Sequence, residues 1–196
     1  GLLPGDVLLS WRREPVAVPG LPASGELALP FDLVEVFLEQ MPRAEVTLLG
    51  RRGPAEMSWV LPRGAGASLA WEGVRTVPLL SGDLLALHGE GQAGEAGESG
   101  IAALRTAASR ARSRGATDLA AWFLAEAARH LAREHRWDEA DTFYQEALSL
   151  EASPRKLFLT AQLYREWGDL FDDRFAWERA QECFQRALDA DRQKGF

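Results

Sequence analysis

The sequence predicts two parts of different fold class, an α+β domain over residues 1–78 and an all-α array of helical hairpins over residues 81–196. Three observations support this division. Most of the prolines and of the strand-like apolar runs lie in the first part. From Ser81 onward, apolar residues recur with a helical period almost throughout. The second part also repeats itself at a fixed interval, which is typical of stacked helical hairpins.

The first part contains three strand-like runs and one amphipathic helix. Asp6–Trp11 is a short apolar run after a Pro-Gly turn, and Glu45–Gly50 and Glu56–Leu61 are predicted to form a hairpin. Between two prolines, apolar residues recur at spacings of three and four, which predicts a helix of about three turns over Phe31–Met41. Glu14–Leu29 is rich in Pro, Gly and Ala and has no period, so a long loop is predicted there.

The order of these elements resembles that of PDZ domains, especially those of bacterial high-temperature-requirement and tail-specific proteases. The resemblance starts at Gly1–Trp11, which reads Gly-Leu-Leu-Pro-Gly-Asp-Val-Leu-Leu-Ser-Trp. It continues through the helix to Val46–Leu48 and the Arg-Arg-Gly turn at Arg51–Gly53. The first part is therefore expected to be a PDZ-like domain that lacks its N-terminal portion.

The resemblance also implies where a peptide would bind. The helix face that carries Asp32, Val36 and Glu39 is expected to line the groove, with the apolar Val36 in contact with a peptide added as a strand. The family's groove strand and carboxylate-binding loop would precede Gly1, so we expect an unpaired sheet edge. Three alternatives are open: a second copy of the chain pairs with this edge as a homodimer, the strand lies in residues outside the given sequence, or Ser68–Trp71 folds back to fill the gap.

The second part repeats with a period of 40 residues. Small and aromatic residues recur at this offset: Leu124, Ala127, Ala128 and Leu131 as Tyr164, Trp167, Gly168 and Phe171, and Ala140, Tyr144 and Ala147 as Ala180, Phe184 and Ala187. A degenerate earlier copy comprises Leu84, Leu87, Gly100, Leu104 and Ala107. Small residues let two helices approach and aromatic residues fill the space between them, so each copy is predicted to be a helix pair.

This pattern resembles the tetratricopeptide (TPR) repeat, most fully over Tyr164–Ala187. The family's usual period is 34 residues, so the longer repeat implies a longer loop or longer helices, with the turn between hairpins expected at Glu151–Pro154. By resemblance, an extended peptide would bind on the concave face formed by the first helix of each pair. The residues expected on that face are Trp122, Ala125, Arg129 and Arg133 in one hairpin, and Gln162, Arg165, Asp169 and Asp172 in the next.

Charge and composition argue against several function classes. The net charge is −7, and the only basic cluster, Arg105–Arg114, is interrupted by alanines, so nucleic-acid binding is not expected. No apolar run approaches the roughly 18 residues of a membrane-spanning helix, so membrane insertion is not expected either. Cys183 is the single cysteine, which excludes an internal disulfide and a cysteine-based zinc site. The preference for arginine and the absence of asparagine suggest a bacterial source and leave open a cytoplasmic or periplasmic location.

The sequence offers no catalytic residues. Gly89–Gly94 satisfies the string GxGxxG, but a helical stretch precedes it where a phosphate loop needs a strand. Glu126, His130 and Glu134 are spaced for one helix face, as a metal site requires, yet a solvated face explains them equally well. No Gly-x-Ser-x-Gly nucleophile motif is present. We therefore expect neither catalysis nor a bound metal or cofactor.

The sequence as a whole predicts a non-catalytic scaffold that binds peptides or partner proteins. Two alternatives stay open. In the first alternative, the chain is a regulatory fragment of a larger enzyme, such as a protease or a signalling kinase. In the second, it is a self-assembly module. In the last case a homodimer would form through the unpaired sheet edge or through the open end of the helical array.

Overall fold

The computed structural model describes residues 1–3, 5–14, 22–61, 75–76, 82–92, 97–150 and 156–193. In this part of the chain, a small antiparallel sheet of four strands precedes six long helices, which confirms the mixed α+β layout predicted from the sequence. The chain divides into two compact units, Gly1–Leu80 and Ser81–Phe196. None of the helices in the described ranges combines the length and apolar character needed to cross a membrane.

The sheet consists of β1 (Val7–Arg13), β2 (Ser24–Glu26), β3 (Val46–Arg52) and β4 (Ala55–Leu61), in the order β2-β1-β3-β4. The short β5 (Arg75–Thr76) adds parallel to β1. The β3–β4 hairpin predicted from the two β-rich runs is confirmed. The proposed filling strand at residues 68–71 lies outside the described residues.

Strand β2 lies inside the segment that was predicted to be loop, so that prediction is wrong for residues 24–26. Its sequence, Ser-Gly-Glu, carries no apolar alternation that could reveal a strand. The strand pairs antiparallel with β1, where Gly25 lies opposite Trp11 and so close to its indole that an added Cβ would lie 2.7 Å from Nε1. The tertiary contact, rather than local propensity, therefore selects the extended backbone.

The predicted helix Phe31–Met41 is present, but it changes type along its length. An α-helix, α1, covers Pro30–Glu35, and a π-helical segment follows over Val36–Gln40. The Met41 amide donates to the Val36 carbonyl at 3.0 Å, so these two residues share one side of the segment. Both side chains are buried in the core of the unit with residues of the sheet, namely Leu8, Trp11, Val46, Leu48, Trp59 and Leu61.

The six long helices form three consecutive pairs. They are α2 (Gly82–Gln92) and α3 (Glu98–Ser113), α4 (Thr117–Arg133) and α5 (Trp137–Ser149), and α6 (Lys156–Asp173) and α7 (Trp177–Gln193). Within each of the pairs α4–α5 and α6–α7, the two helices are joined by equivalent turns. His135 and Phe175 both adopt left-handed backbone conformations, with φ of 60° and 59°, at the predicted offset. The turn predicted at residues 151–154 lies outside the described residues.

The small-and-aromatic pattern has a direct packing role in the third pair. The Phe184 ring of α7 lies against Gly168 of α6, where an added Cβ would come within 2.5 Å of Cε1. In the preceding pair, the equivalent residues Ala128 and Tyr144 are both buried. Small residues on the first helix thus make room for an aromatic side chain on the second, as expected from the sequence.

Candidate functional site

The first helices of the second and third pairs enclose a cavity with a volume of about 230 Å³. Its walls are formed by α4 and α6, with one side chain from α5. The side chains that line it and carry polar chemistry are Arg129 and Arg133 of α4, Tyr144 of α5, and Glu166, Asp169 and Asp173 of α6. Ala132 and Leu170 add a small apolar surface. The cavity therefore combines both signs of charge with an aromatic ring.

Arg129 is the central ionic group of this cavity. Its Nη1 atom donates to Glu166 Oε1 at 2.7 Å and to Oε2 at 2.6 Å, and its Nη2 atom donates to Glu126 of the same helix. Burial alone would lower the pKa of Arg129, but the two carboxylates outweigh this effect and raise it. The pair joins α4 to α6 at a partly buried position, where removing one partner leaves an uncompensated charge.

The low polarity of the site raises the pKa values of both Glu166 and Tyr144. Burial raises the pKa of Glu166 above its usual range, although Arg129 and the amide of Gln162 act in the opposite direction. The Gln162 Nε2 atom donates to Glu166 Oε1 at 3.1 Å. Burial, reinforced by Glu166, also raises the pKa of Tyr144, so its hydroxyl keeps its proton at neutral pH. A protonated hydroxyl can donate to a carbonyl oxygen of a ligand.

The solvent side of the cavity carries charges that the protein itself does not pair. Arg133, Asp169 and Asp173 form no hydrogen bond or ion pair through their side chains with any residue that the structure describes. Burial raises the pKa of Asp169, and the nearby Asp173 and Asp172 raise it further. A cationic group placed between these carboxylates would relieve their repulsion, so the charge on this side of the cavity suits a basic ligand.

The structure brings together three of the residues predicted on the concave face, Arg129, Arg133 and Asp169. Gln162 adjoins them through Glu166. Arg165 instead pairs with Asp191 of α7 and does not line the cavity. Trp122 and Ala125 are buried, so the expectation that they lie on an open face is wrong. These two side chains fill the interior because α4 is packed on several sides, which a repeat pattern alone does not show.

The groove predicted in the first unit is not an open surface at Val36. This side chain is 0% exposed and belongs to the core of the unit, because the π-helical segment turns it inward together with Met41. The predicted contact between Val36 and a peptide is therefore corrected. The Asp32 carboxylate accepts hydrogen bonds from the amides of Ala28 and Leu29, each at 2.7 Å, and Glu39 pairs with Arg43. Both residues thus have local structural partners.

Sequence reasoning missed Glu166 and Tyr144 of the cavity, and it considered Glu126 only as a metal ligand and not as a partner of Arg129. A signal for them was present, because Glu126 and Glu166 are separated by the repeat period. The same offset relates Arg129 to Asp169 and Arg133 to Asp173, so the charge at these two positions reverses from one repeat to the next. A basic stripe on α4 therefore faces an acidic stripe on α6, and this reversal creates the mixed charge of the cavity.

The metal alternative finds no geometric support in the described part of the chain, where no three His, Cys, Asp or Glu side chains are placed to hold an ion. His130 is only 3% exposed, and Glu126 is engaged by Arg129. Comparison with known proteins gives no significant match to any family model, curated protein or solved structure.

Proposed function

We propose that this chain is a non-catalytic interaction module whose helical unit binds an extended peptide across α4 and α6. One observation carries the proposal. The cavity between these helices holds a fully paired arginine, Arg129, beside charges that stay unpaired among the described residues, Arg133, Asp169 and Asp173. Internal ion pairs keep the walls in place, and the unpaired groups are available to a ligand.

The charges indicate the chemistry of the peptide. Asp169 and Asp173 are exposed and suit a lysine or arginine side chain, and the half-buried Ala132 suits a neighbouring apolar group. Arg133 can meet a backbone carbonyl or a carboxylate of the same segment. The preferred ligand is therefore a basic, partly apolar peptide segment.

The resemblance to TPR-like arrays supports this reading, since a peptide would lie on the first helices of successive pairs. We further propose that the first unit is PDZ-like. The order of β1, the helix and the β3–β4 hairpin supports this. The Asp6 carboxylate of the Pro-Gly-Asp motif supports it too, because it joins β3 by accepting hydrogen bonds from Arg52 Nε at 2.7 Å and Nη2 at 2.8 Å. In this proposal the first unit is a folded domain that does not bind a peptide through Val36, because that side chain is buried.

The test is a binding titration with fluorescein-labelled peptides, followed by anisotropy. One peptide alternates leucine and lysine, and its matched control alternates leucine and glutamine. We expect the lysine peptide to bind to the wild type. The Asp169→Asn, Asp173→Asn double variant should bind it about tenfold more weakly. The control variant Glu178→Gln, Asp189→Asn removes the same charge from exposed positions of α7 outside the cavity and should bind normally. Equal binding by all three proteins would contradict the proposal.

Self-assembly is a second candidate, favoured by the exposed apolar residues at the last helix pair. Phe175 is 74% and Trp177 54% exposed, and Phe184 and Leu188 line a shallow cavity of about 380 Å³ on α7. A second copy of the chain would cover this surface. Light scattering on the whole chain and on its Leu188→Glu variant tests this candidate function. The mass of the wild type should rise with concentration, and the variant should stay monomeric.

A further inference from the structure

The basic cluster of α3 is divided between two sides of the helix. Arg110 and Arg114 both pair with Asp83 of α2, at 3.4 and 2.6 Å. Arg105 and Arg112 instead line a cavity of about 230 Å³ between α3, α4 and α5. The residues that looked like one interrupted basic run in the sequence therefore serve two different surfaces.

This second cavity has an apolar floor and a polar rim. The floor consists of buried side chains from α3, from α4 and from the residue that follows α5: Ala108, Ala120, Leu124 and Leu150. The rim consists of exposed residues, Arg105, Ser109 and Arg112 from α3 and Glu146 from α5. Positions 105, 109 and 112 follow the spacing of one helix face, so α3 presents two guanidinium groups and a hydroxyl to the same opening.

The donors on α3 are not used by the protein in the described part of the chain. Arg105, Ser109 and Arg112 make no side-chain hydrogen bond or ion pair with any described residue. The Arg105 guanidinium instead lies over the Phe143 ring, 5.7 Å from its centroid. A cation–π contact holds the group in position without using its N–H donors, which remain available to an anion.

We propose that this cavity is a second binding site, specific for an acidic peptide segment. A carboxylate of the segment would accept hydrogen bonds from Arg105 and Arg112, which suit planar anions, and an adjacent apolar side chain would cover the floor. Two arginines beside a glutamate are too few to follow a phosphate backbone, so nucleic acid does not fit this site. The second helices of the pairs would thus bind acidic segments, whereas the α4–α6 cavity is proposed to bind basic ones.

The test uses the whole chain and a fluorescein-labelled peptide that alternates leucine and glutamate, with a leucine–glutamine peptide as the neutral control. The Arg105→Gln, Arg112→Gln double variant is expected to weaken binding of the acidic peptide by about tenfold or more. The matched control is Arg110→Gln, Arg114→Gln, which removes the same charge from the same helix but from the side that faces Asp83. The control should bind the acidic peptide far better than the first double variant does.

A variant with the opposite effect protects the test against loss of folding. Glu146 would repel the acidic peptide, so Glu146→Gln is expected to tighten its binding about threefold. Raising the salt concentration should weaken binding to the wild type more than to the Arg105, Arg112 variant. Equal affinity for the acidic and neutral peptides, or equal loss in both arginine variants, would overturn the proposal. Because the peptide and the variants differ from those used for the α4–α6 cavity, the two sites can fail independently.

Discussion

The second and third helix pairs share a sequence pattern and a turn, yet they differ in how deeply the equivalent side chains are buried. Tyr144 is 2% exposed, whereas its counterpart Phe184 is 38% exposed. Among the described elements, the pair α4–α5 has helices packed on both sides, α3 before it and α6 after it, whereas α6–α7 has described helices on one side. The comparison shows that a repeat position determines which side chain meets its partner helix, and the neighbouring repeats determine how much water it loses.

The largest expected effect comes from removing the equivalent aromatic rings. Tyr144→Ala should lower the free energy of unfolding by about 4 kcal/mol, because it leaves a large cavity at a buried position. Phe184→Ala should lower it by only about 1 kcal/mol, since the ring is partly hydrated in the folded protein. Denaturant titrations followed by the helical circular dichroism signal measure both values. Similar losses would show that the two pairs are equally buried, contrary to this comparison.

The reversed charges of the two repeats provide the next test. Arg129→Gln should destabilise the protein by about 2 kcal/mol, because Glu126 and Glu166 would lose the cation between them at a partly buried position. The equivalent change on α6, Asp169→Asn, should stabilise it by about 0.3 kcal/mol by relieving repulsion with Asp173. The same denaturant titrations apply, and a loss of stability in Asp169→Asn would indicate a partner for this carboxylate.

The pKa of Asp169 tests the acidic stripe directly. Burial, Asp173 and Asp172 all raise its pKa above the ordinary 3.8, so the folded protein binds this proton more tightly than the unfolded chain does. Stability should therefore fall as the pH rises from about 3.8 through the folded pKa. A titration of the side-chain carboxyl carbon by NMR should give a midpoint above 3.8, and Asp173→Asn should lower that midpoint. An unchanged midpoint in the variant would show that the two carboxylates do not interact.

The opposite shift is expected for Asp6 in the first unit. A hydrogen bond from Arg52 lowers the pKa of this carboxyl to about 2, so its contribution to stability is present above pH 3.8 and is lost as the pH falls through about 2. The Leu3 amide donates to Asp6 Oδ2 at 2.7 Å, and its NMR shift should follow this titration. In an Arg52→Gln variant the midpoint should move back toward 3.8.

A last comparison concerns the tryptophans that follow the two equivalent turns. Trp137 packs beside His135 and Trp177 beside Phe175, with ring centroids 5.1 and 5.5 Å apart. Because Trp177 is the more exposed, Trp177→Gln should change the unfolding free energy by less than about 0.5 kcal/mol, and Trp137→Gln by about 1 kcal/mol. A larger loss for Trp177→Gln in dilute solution would mean that the end of the array is covered.

Several features of the molecule follow from the sequence alone because they depend on local patterns. The β3–β4 hairpin follows from two β-rich runs around a short turn. The helix pairs follow from the helical period of the apolar residues and from a repeat that places His135 and Phe175 in equivalent turns. For the hairpin and the helix pairs, neighbouring residues carry the information, so no long-range contact has to be known. Arg129, Arg133 and Asp169 were expected on one face only from the resemblance to TPR repeats, and all three line the α4–α6 cavity.

Tertiary structure decided the remainder. Strand β2 pairs with β1 where Gly25 lies close against Trp11, and Val36 is buried because a π-helical segment turns it toward the sheet. The pairing of Arg129 with Glu166, and the division of the α3 arginines between Asp83 and a second cavity, depend on which helices become neighbours. Periodicity shows which side of a helix is apolar. It does not show which charged groups from distant segments will meet across an interface, because that depends on the packing of the whole unit.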